Sequence, residues 1–331
     1  MADRNASQVL FGFDFQINSA IVIMLENIKE MATIRLEGTE DIEITLNDGS
    51  KILAQAKSVV NSSTDFSNVL RNLKKSINSL SEAQQKVGVV KQLIYITNTP
   101  NPFNEKTLNS IFYGQAHRDY DSLAQSLKDV IDKITREIVK PLDTSKFLIQ
   151  ILPFETDNNK ERYKCVMEAI DSFKSNLCVS SISKENLHTI WQSDIFKNGT
   201  KRAQNFVLSK KDIIWPIIVL IIENHESYDE LDQSQTVEIS RSYNEIINYC
   251  TERYEFATRV LRAFQDFQKD KNIQERKQVF IREESKNYLP ILKDNNISIS
   301  DELMIKLIEI ILINILNKRI QIDNIKNAVN L

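Results

Sequence analysis

The sequence predicts an α/β N-terminal domain, with a small mixed sheet flanked by helices, followed by an all-α C-terminal domain. Three observations carry that expectation. Residues 41–57 alternate in polarity on both sides of Asn47-Asp48-Gly49, the pattern of two strands joined by a tight turn. Strand-like apolar runs at 92–98 and 146–154 are separated from that hairpin by stretches of helical period. Strand–helix–strand order implies a crossover and at least one parallel pair. From Asn158 onward the apolar residues recur at helical spacing, and six glycines and six prolines in 331 residues leave few breaks. The domains are expected at 1–205, with a core at 10–155, and at 206–331.

Composition bounds the function. Apolar content of 42% and charged content of 26% are ordinary for a soluble globular chain. A net charge of -3 gives no global basic signature, so any contact with nucleic acid must come from a local patch. Residues 17–25 are apolar but follow Asp14, without a basic start or a small-residue cleavage site, which argues against a signal peptide. The apolar run 213–222 is short for a membrane span, and 303–316 carries Lys306 and Glu309. Both read as core helices, and a cytoplasmic protein without a membrane partner is expected. Cys165, Cys178 and Cys250 are odd in number and scattered, as in a reducing compartment. His117, His188 and His225 stand apart from one another at no metal-binding spacing.

The elements follow in order. Residues 7–31 form a first helix that buries Ile17, Ala20, Ile21, Met24, Leu25 and Ile28, and a strand begins near Thr33. After the hairpin, a helix over 66–85 carries the stripe Val69, Leu70, Leu73, Ile77 and Leu80, with Arg71, Lys74 and Lys75 on its other side. Residues 92–98 form a buried strand. The stretch 108–139 reads as largely helical, with Tyr113, His117, Arg118 and Tyr120 as a candidate DNA-facing loop. Residues 146–154 form the next strand, and 163–177 and 183–196 are amphipathic helices. Lys197 to Arg202 is a basic, glycine-containing break, a candidate linker or DNA contact through Lys201 and Arg202. Helices are expected at 213–224, 239–268, 277–288 and 300–317, with a polar loop at 227–235.

Hairpin register decides what its polar residues mean. A two-residue loop would pair Ile42 with Gln55 and mix apolar and polar side chains on one face. A three-residue loop with Gly49 left-handed pairs Ile44 with Ile52, Ile42 with Ala54 and Asp41 with Gln55. A slip of one residue flips every side chain, so the sorted arrangement is favoured. It leaves one apolar face for a core and gathers Asp41, Glu43, Gln55 and Lys57 on the other.

Asp41 followed by Gln55-Ala56-Lys57 resembles the motif of PD-(D/E)xK nucleases in the Gln-x-Lys form of Mrr-like restriction endonucleases. The wider pattern adds Gly12-Phe13-Asp14-Phe15-Gln16, Glu37-Gly38-Thr39-Glu40-Asp41-Ile42 and Tyr95-Ile96-Thr97-Asn98. Together these resemble the double-stranded-DNA endonuclease domain of CD-NTase-associated (CBASS-type) and related bacterial anti-phage effectors, over about residues 10–155. The resemblance implies a restriction-endonuclease-like fold and a phosphodiester hydrolase that uses Mg²⁺ or Mn²⁺. Asp41, Gln55 and Glu37 would then hold the metal, and Lys57 would orient water or stabilise the transition state. It also implies that Gln16 reaches the site from the first helix. Beside such a site Arg71, Lys74 and Lys75 would hold DNA phosphates.

The helical C-terminal part departs from those effectors, whose nuclease precedes an α/β cyclic-nucleotide sensor. Control is therefore expected from homo-oligomerisation or from a partner such as a HerA-like ATPase. Two other readings use the same residues. One is a catalytically silent DNA-binding or adaptor subunit, which Gln55 in place of an acid favours. The other is a helical interaction protein in which the hairpin is structural.

Overall fold

The computed structural model describes residues 6–105, 107–155, 157–201, 207–223, 232–248, 252–269, 272–290 and 299–331. Arg202, His225 and Cys250, and most of the expected loop at 227–235, lie outside them. The chain divides into two compact units: Met1–Asn176 with Ser183–Lys210, and Leu177–Ile182 with Lys211–Leu331.

The N-terminal unit opens with α1 (Ala6–Asn27), in which every residue from Phe15 to Leu25 is buried. Such a helix is apolar all round because it is covered on all sides. By length and composition it would also pass for a membrane span, but 67% of its most apolar window is buried inside the unit. It packs on β1 (Met31–Leu36), β2 (Ile42–Leu46) and β3 (Lys51–Lys57), and on α5 (Lys164–Asn176) and α6 (Lys184–Gly199).

The sheet continues through α2 (Val69–Gln84) to β4 (Val90–Thr97), then β5 (Ala116–Asp119), α3 (Gln125–Arg136) and β6 (Phe147–Ile151). A short helix, α4 (Asn159–Arg162), precedes α5, and β7 (Leu208–Ser209) follows α6. The seven strands lie in the order β5-β6-β4-β3-β2-β1-β7. β3, β4 and β6 run parallel in the middle, and the remaining pairs are antiparallel. The expected mixed sheet with flanking helices is therefore present.

Alternation along the central strands sorts two cores. Leu53, Leu93, Tyr95, Phe147 and Ile149 pack with Leu73, Ile77 and Leu80 of α2 and with Leu127 and Ile131 of α3. Leu70, expected in the α2 stripe, leaves it and is exposed. Ile42, Ile44, Ile52 and Ala54 are buried on the opposite face, the side of α1. The hairpin has the favoured register, Ile44 opposite Ile52 and Ile42 opposite Ala54. Gly49 takes φ +82°, a left-handed value that suits glycine. The Leu46 N–H donates to the Ser50 carbonyl at 2.8 Å across this three-residue loop, and Asp48 Oδ1 accepts from the Ser50 N–H at 2.9 Å.

Three expectations are corrected. The stretch 108–139 is not mainly helical: His117 and Arg118 lie on β5, which pairs antiparallel with β6, and α3 covers only its last part. His117 Nε2 lies 3.1 Å from Glu26 Oε1 of α1 instead of standing in a loop. The chain beyond Asn158 is not wholly helical, because Leu208 and Ser209 add a short strand to the edge of β1. Finally, 239–268 is not one helix. Helices span Gln233–Ile246 and Glu252–Asp266, the first ending where Ile247 leaves helical geometry.

In the C-terminal unit the helix Asp301–Asn317 buries nine residues and packs against the helices Gln233–Ile246, Glu252–Asp266 and Ile273–Glu284. Its last partner in the chain is the helix Arg319–Ala328. Trp215, from the helix Lys210–Ile221, is fully buried, and its Nε1–H donates to the Asn248 carbonyl at 2.7 Å.

Behind the sheet, a polar chain links α1 to the junction between α4 and α5 and to α6. Asn18 is fully buried and its Nδ2 donates to Asp14 Oδ1 at 2.9 Å, while the Tyr163 hydroxyl donates to Asp14 Oδ2 at 2.9 Å. His188 Nε2 lies 2.7 Å from Asn18 Oδ1, so the ring proton belongs on Nε2. Burial pushes the His188 pKa down to about 4. A base depressed in the fold is protonated first in the unfolded chain, so stability is full above the ordinary histidine pKa and is lost as pH falls towards 4. The effect is on the order of 3 kcal/mol. We expect urea unfolding to show a loss of stability between neutral pH and about pH 4.5 that is smaller in His188→Gln.

Candidate active site

The site is built on the strand that ends in Lys57 and on the turn that feeds β2. Between β1 and β2 the chain reverses through Glu37 to Asp41. The Glu37 N–H donates to the Asp41 carbonyl at 3.1 Å, and the Gly38 N–H donates to the Glu40 carbonyl at 3.1 Å. Glu37 adopts φ +52°, a left-handed backbone that costs a residue with a Cβ of order 1 kcal/mol or more. At Gly38 an added Cβ would come within 2.8 Å of Glu43 Oε2, so the Glu43 carboxylate would have to shift to admit one.

Asp41 is where the elements meet. Its Oδ2 accepts from the Gln55 amide, from the Ala56 N–H at 2.9 Å and from Lys57 Nζ at 3.5 Å. From α1, Gln16 Nε2 donates both to the Asp41 carbonyl at 3.0 Å and to Glu37 Oε1 at 2.8 Å. Gln16 and Gln55 are buried, whereas Asp41 and Lys57 keep side-chain exposures of 22% and 32%. Solvent can thus reach the carboxylate–ammonium pair but not the amides that hold it.

Burial raises the Asp41 pKa; Lys57 and the Ala56 N–H oppose the rise, and Glu37 adds to it. One residue away, Glu40 has its carboxyl pushed up to about 7, chiefly by burial. The Ser79 hydroxyl of α2 donates to Glu40 Oε1 at 2.7 Å. Glu40 is the site residue that pattern reading passed over. It stands inside the Glu37–Asp41 motif, but only the approach of α2 buries it.

The remaining predicted residues are distributed as follows. Asp41, Gln55, Lys57, Glu37 and Gln16 come together. Glu43 does not join them: it lies opposite Leu53 in the hairpin, pairs with Lys51 and accepts from the Thr39 N–H at 3.0 Å. Arg71, Lys74 and Lys75 are exposed on α2, and Lys74 Nζ lies 2.6 Å from Glu137. By helical spacing Arg71 and Lys75 share a stripe with Ser79, which faces Glu40. Lys201 is exposed. Asn98 has a structural duty: buried beyond β4, its Nδ2 donates to the Val59 and Phe154 carbonyls at 2.9 Å, fixing the chain just after β3 and β6.

Compared with protein-family models, curated proteins and solved structures, the chain gives no match.

Removing Gln16 would leave Glu37 Oε1 without its buried amide donor and the Asp41 carbonyl with the Glu37 N–H alone. Gln16→Ala is expected to lower unfolding stability by about 1–3 kcal/mol in urea titration.

Proposed function

We propose that this chain is a metal-dependent endonuclease of the PD-(D/E)xK kind, restriction-endonuclease-like in its N-terminal unit, that cleaves double-stranded DNA in bacterial anti-phage defence. The observation that carries the reading is the convergence of Gln16, Gln55, the Ala56 N–H and Lys57 on Asp41. A structural hairpin has no need to bury two amides in order to hold a carboxylate beside a half-exposed lysine.

The donor set suits a hard divalent cation. Asp41, Glu37, the Ala56 carbonyl and the Gln55 amide oxygen, once that amide is turned over, offer oxygen only. Burial of Asp41 with Glu37 nearby is a cost that positive charge would relieve. Among the described residues no cluster of three or more His, Cys, Asp or Glu could enclose an ion. Mg²⁺ is typically held by one or two carboxylates with waters and substrate phosphate, so this set is sufficient. Bound there, Mg²⁺ or Mn²⁺ would neutralise charge on the scissile phosphate and acidify a water. Lys57 would orient that water and stabilise the developing oxyanion, Gln16 would hold the Glu37–Asp41 turn, and Arg71 and Lys75 would bear on flanking phosphates. Lys74, Lys201 and Arg202 are weaker contact candidates.

The test is plasmid cleavage with Mg²⁺ or Mn²⁺, wild type beside Lys57→Ala. We expect the variant to lose cleavage by about 10²-fold or more with its fold intact. Equal cleavage by both would remove Lys57 from the chemistry. The adaptor reading is favoured by one observation, the presence of Gln55 where a second acid would strengthen metal binding. No cleavage by the wild type, alone or with a neighbouring gene product, would select it. Activation is assigned to homo-oligomerisation or to a HerA-like ring ATPase. Deleting residues 211–331 should reduce the number of chains per particle measured in solution, and a full chain that is already a monomer would sink the oligomer proposal.

A further inference from the structure

The C-terminal unit holds a second concentration of charge that the nuclease reading does not use. Three helices, Glu252–Asp266, Ile273–Glu284 and Arg319–Ala328, enclose a cavity of about 430 Å³. Arg262, Arg276, Arg319 and Lys326 line it, together with one carboxylate, Asp323. Leu261 and Ile273 supply an apolar wall, and 38% of Ile273 is exposed.

Four cations around one concavity repel each other unless carboxylates answer them. Here no carboxylate oxygen lies within ion-pair distance of any of the four among the described residues. Glu255, on which the charges of Arg262 and Lys326 act, is already paired with Lys211. Arg276 is fixed in place: one Nη2–H donates to the Gln265 carbonyl at 2.9 Å, and its guanidinium lies 4.4 Å from the centre of the Phe264 ring. Its Nε–H is buried without a partner among the described residues. Arg319 is also held, donating to the Leu316 carbonyl at 3.3 Å. Crowding extends to the adjoining Lys277, whose pKa is lowered by burial and then by Arg319. A surface built only for solubility would interleave acids here; this one presents fixed guanidinium donors around a hollow.

We propose that this cavity is a binding site for a phosphate-bearing anion. Guanidinium groups match the planar, bidentate hydrogen bonding of phosphate oxygens, and the volume is in the range of small-ligand sites. Two sources share that chemistry, a free nucleotide or polyphosphate and the backbone of a nucleic acid. The concave shape and the apolar wall fit the first. The site lies wholly within the C-terminal unit and stands whether or not the Asp41 site cleaves DNA.

The experiment is calorimetric titration of the full chain in EDTA with inorganic pyrophosphate, with ATP and with a short DNA duplex. The comparison variant is Arg262→Glu/Lys326→Glu, which alters two side chains with no hydrogen bond or ion pair to another described side chain. We expect at least one probe to bind the wild type and to lose tenfold or more in affinity in the variant. Pyrophosphate or ATP behaving so identifies a small-ligand site, and the duplex alone behaving so identifies a nucleic-acid contact. Arg262→Ala, should the double variant fail to fold, is expected to weaken binding about threefold or more. Absence of binding by all three probes, or binding unchanged by these substitutions, would overturn the proposal.

Discussion

The register of one hairpin governs this molecule. Closure of a three-residue loop between Leu46 and Ser50 sets Ile42 opposite Ala54 and Ile44 opposite Ile52. That choice sends Ile42, Ile44, Ile52 and Ala54 to the face under α1 and sends Leu53, Gln55 and Lys57 to the face under α2. A slip of one position would bury Gln55 and Lys57 against α1 and expose a row of isoleucines. Gly49 makes the correct loop accessible, because its left-handed backbone is cheap for a residue without a Cβ. Everything chemical about the N-terminal unit is downstream of that turn.

Around Asp41 the structure spends stability on arrangement. A carboxylate with a raised pKa, a neighbouring Glu40 pushed up to about 7 and a left-handed Glu37 are each unfavourable in isolation. They persist because Gln16, Gln55 and Ser79 supply hydrogen bonds from three separate elements. Such concentration of cost in one place is typical of sites that act rather than support. The loop after β4 contributes differently, since Asn98 fixes the chain just beyond β3 and β6, on either side of β4, and gives the ends of these strands a firm base.

Much of this was legible in the residues. Alternation gave the hairpin, its register and the sorting of Asp41, Gln55 and Lys57, because period-two patterns report directly on a half-buried sheet. The helices α1, α2, α5 and α6 followed from apolar spacing. What the pattern missed has identifiable causes. Ala116 to Asp119 is short and polar, and it becomes a strand only because β6 offers it an edge. Leu208 and Ser209 are likewise a strand by virtue of β1. Glu43 was assigned to the polar cluster by alternation alone, but Lys51 and the Thr39 N–H capture it locally. Glu40 escaped notice because its burial comes from Ser79, a contact between residues 39 positions apart. The cationic cavity of the C-terminal unit draws on three helices, so no single stretch of sequence contains it.

Helix α1 shows a consequence of placing polar groups two residues apart on a buried element. Gln16 reaches towards the sheet turn and Asn18 towards His188, so the same helix is pinned on two sides. Sliding it by one residue would break both connections at once, whereas the apolar residues between them would accept many neighbours. Its orientation is thus fixed by two amides and not by its oily surface. An apolar position on this helix can take another apolar side chain of similar volume, whereas the two polar ones act as the helix's address.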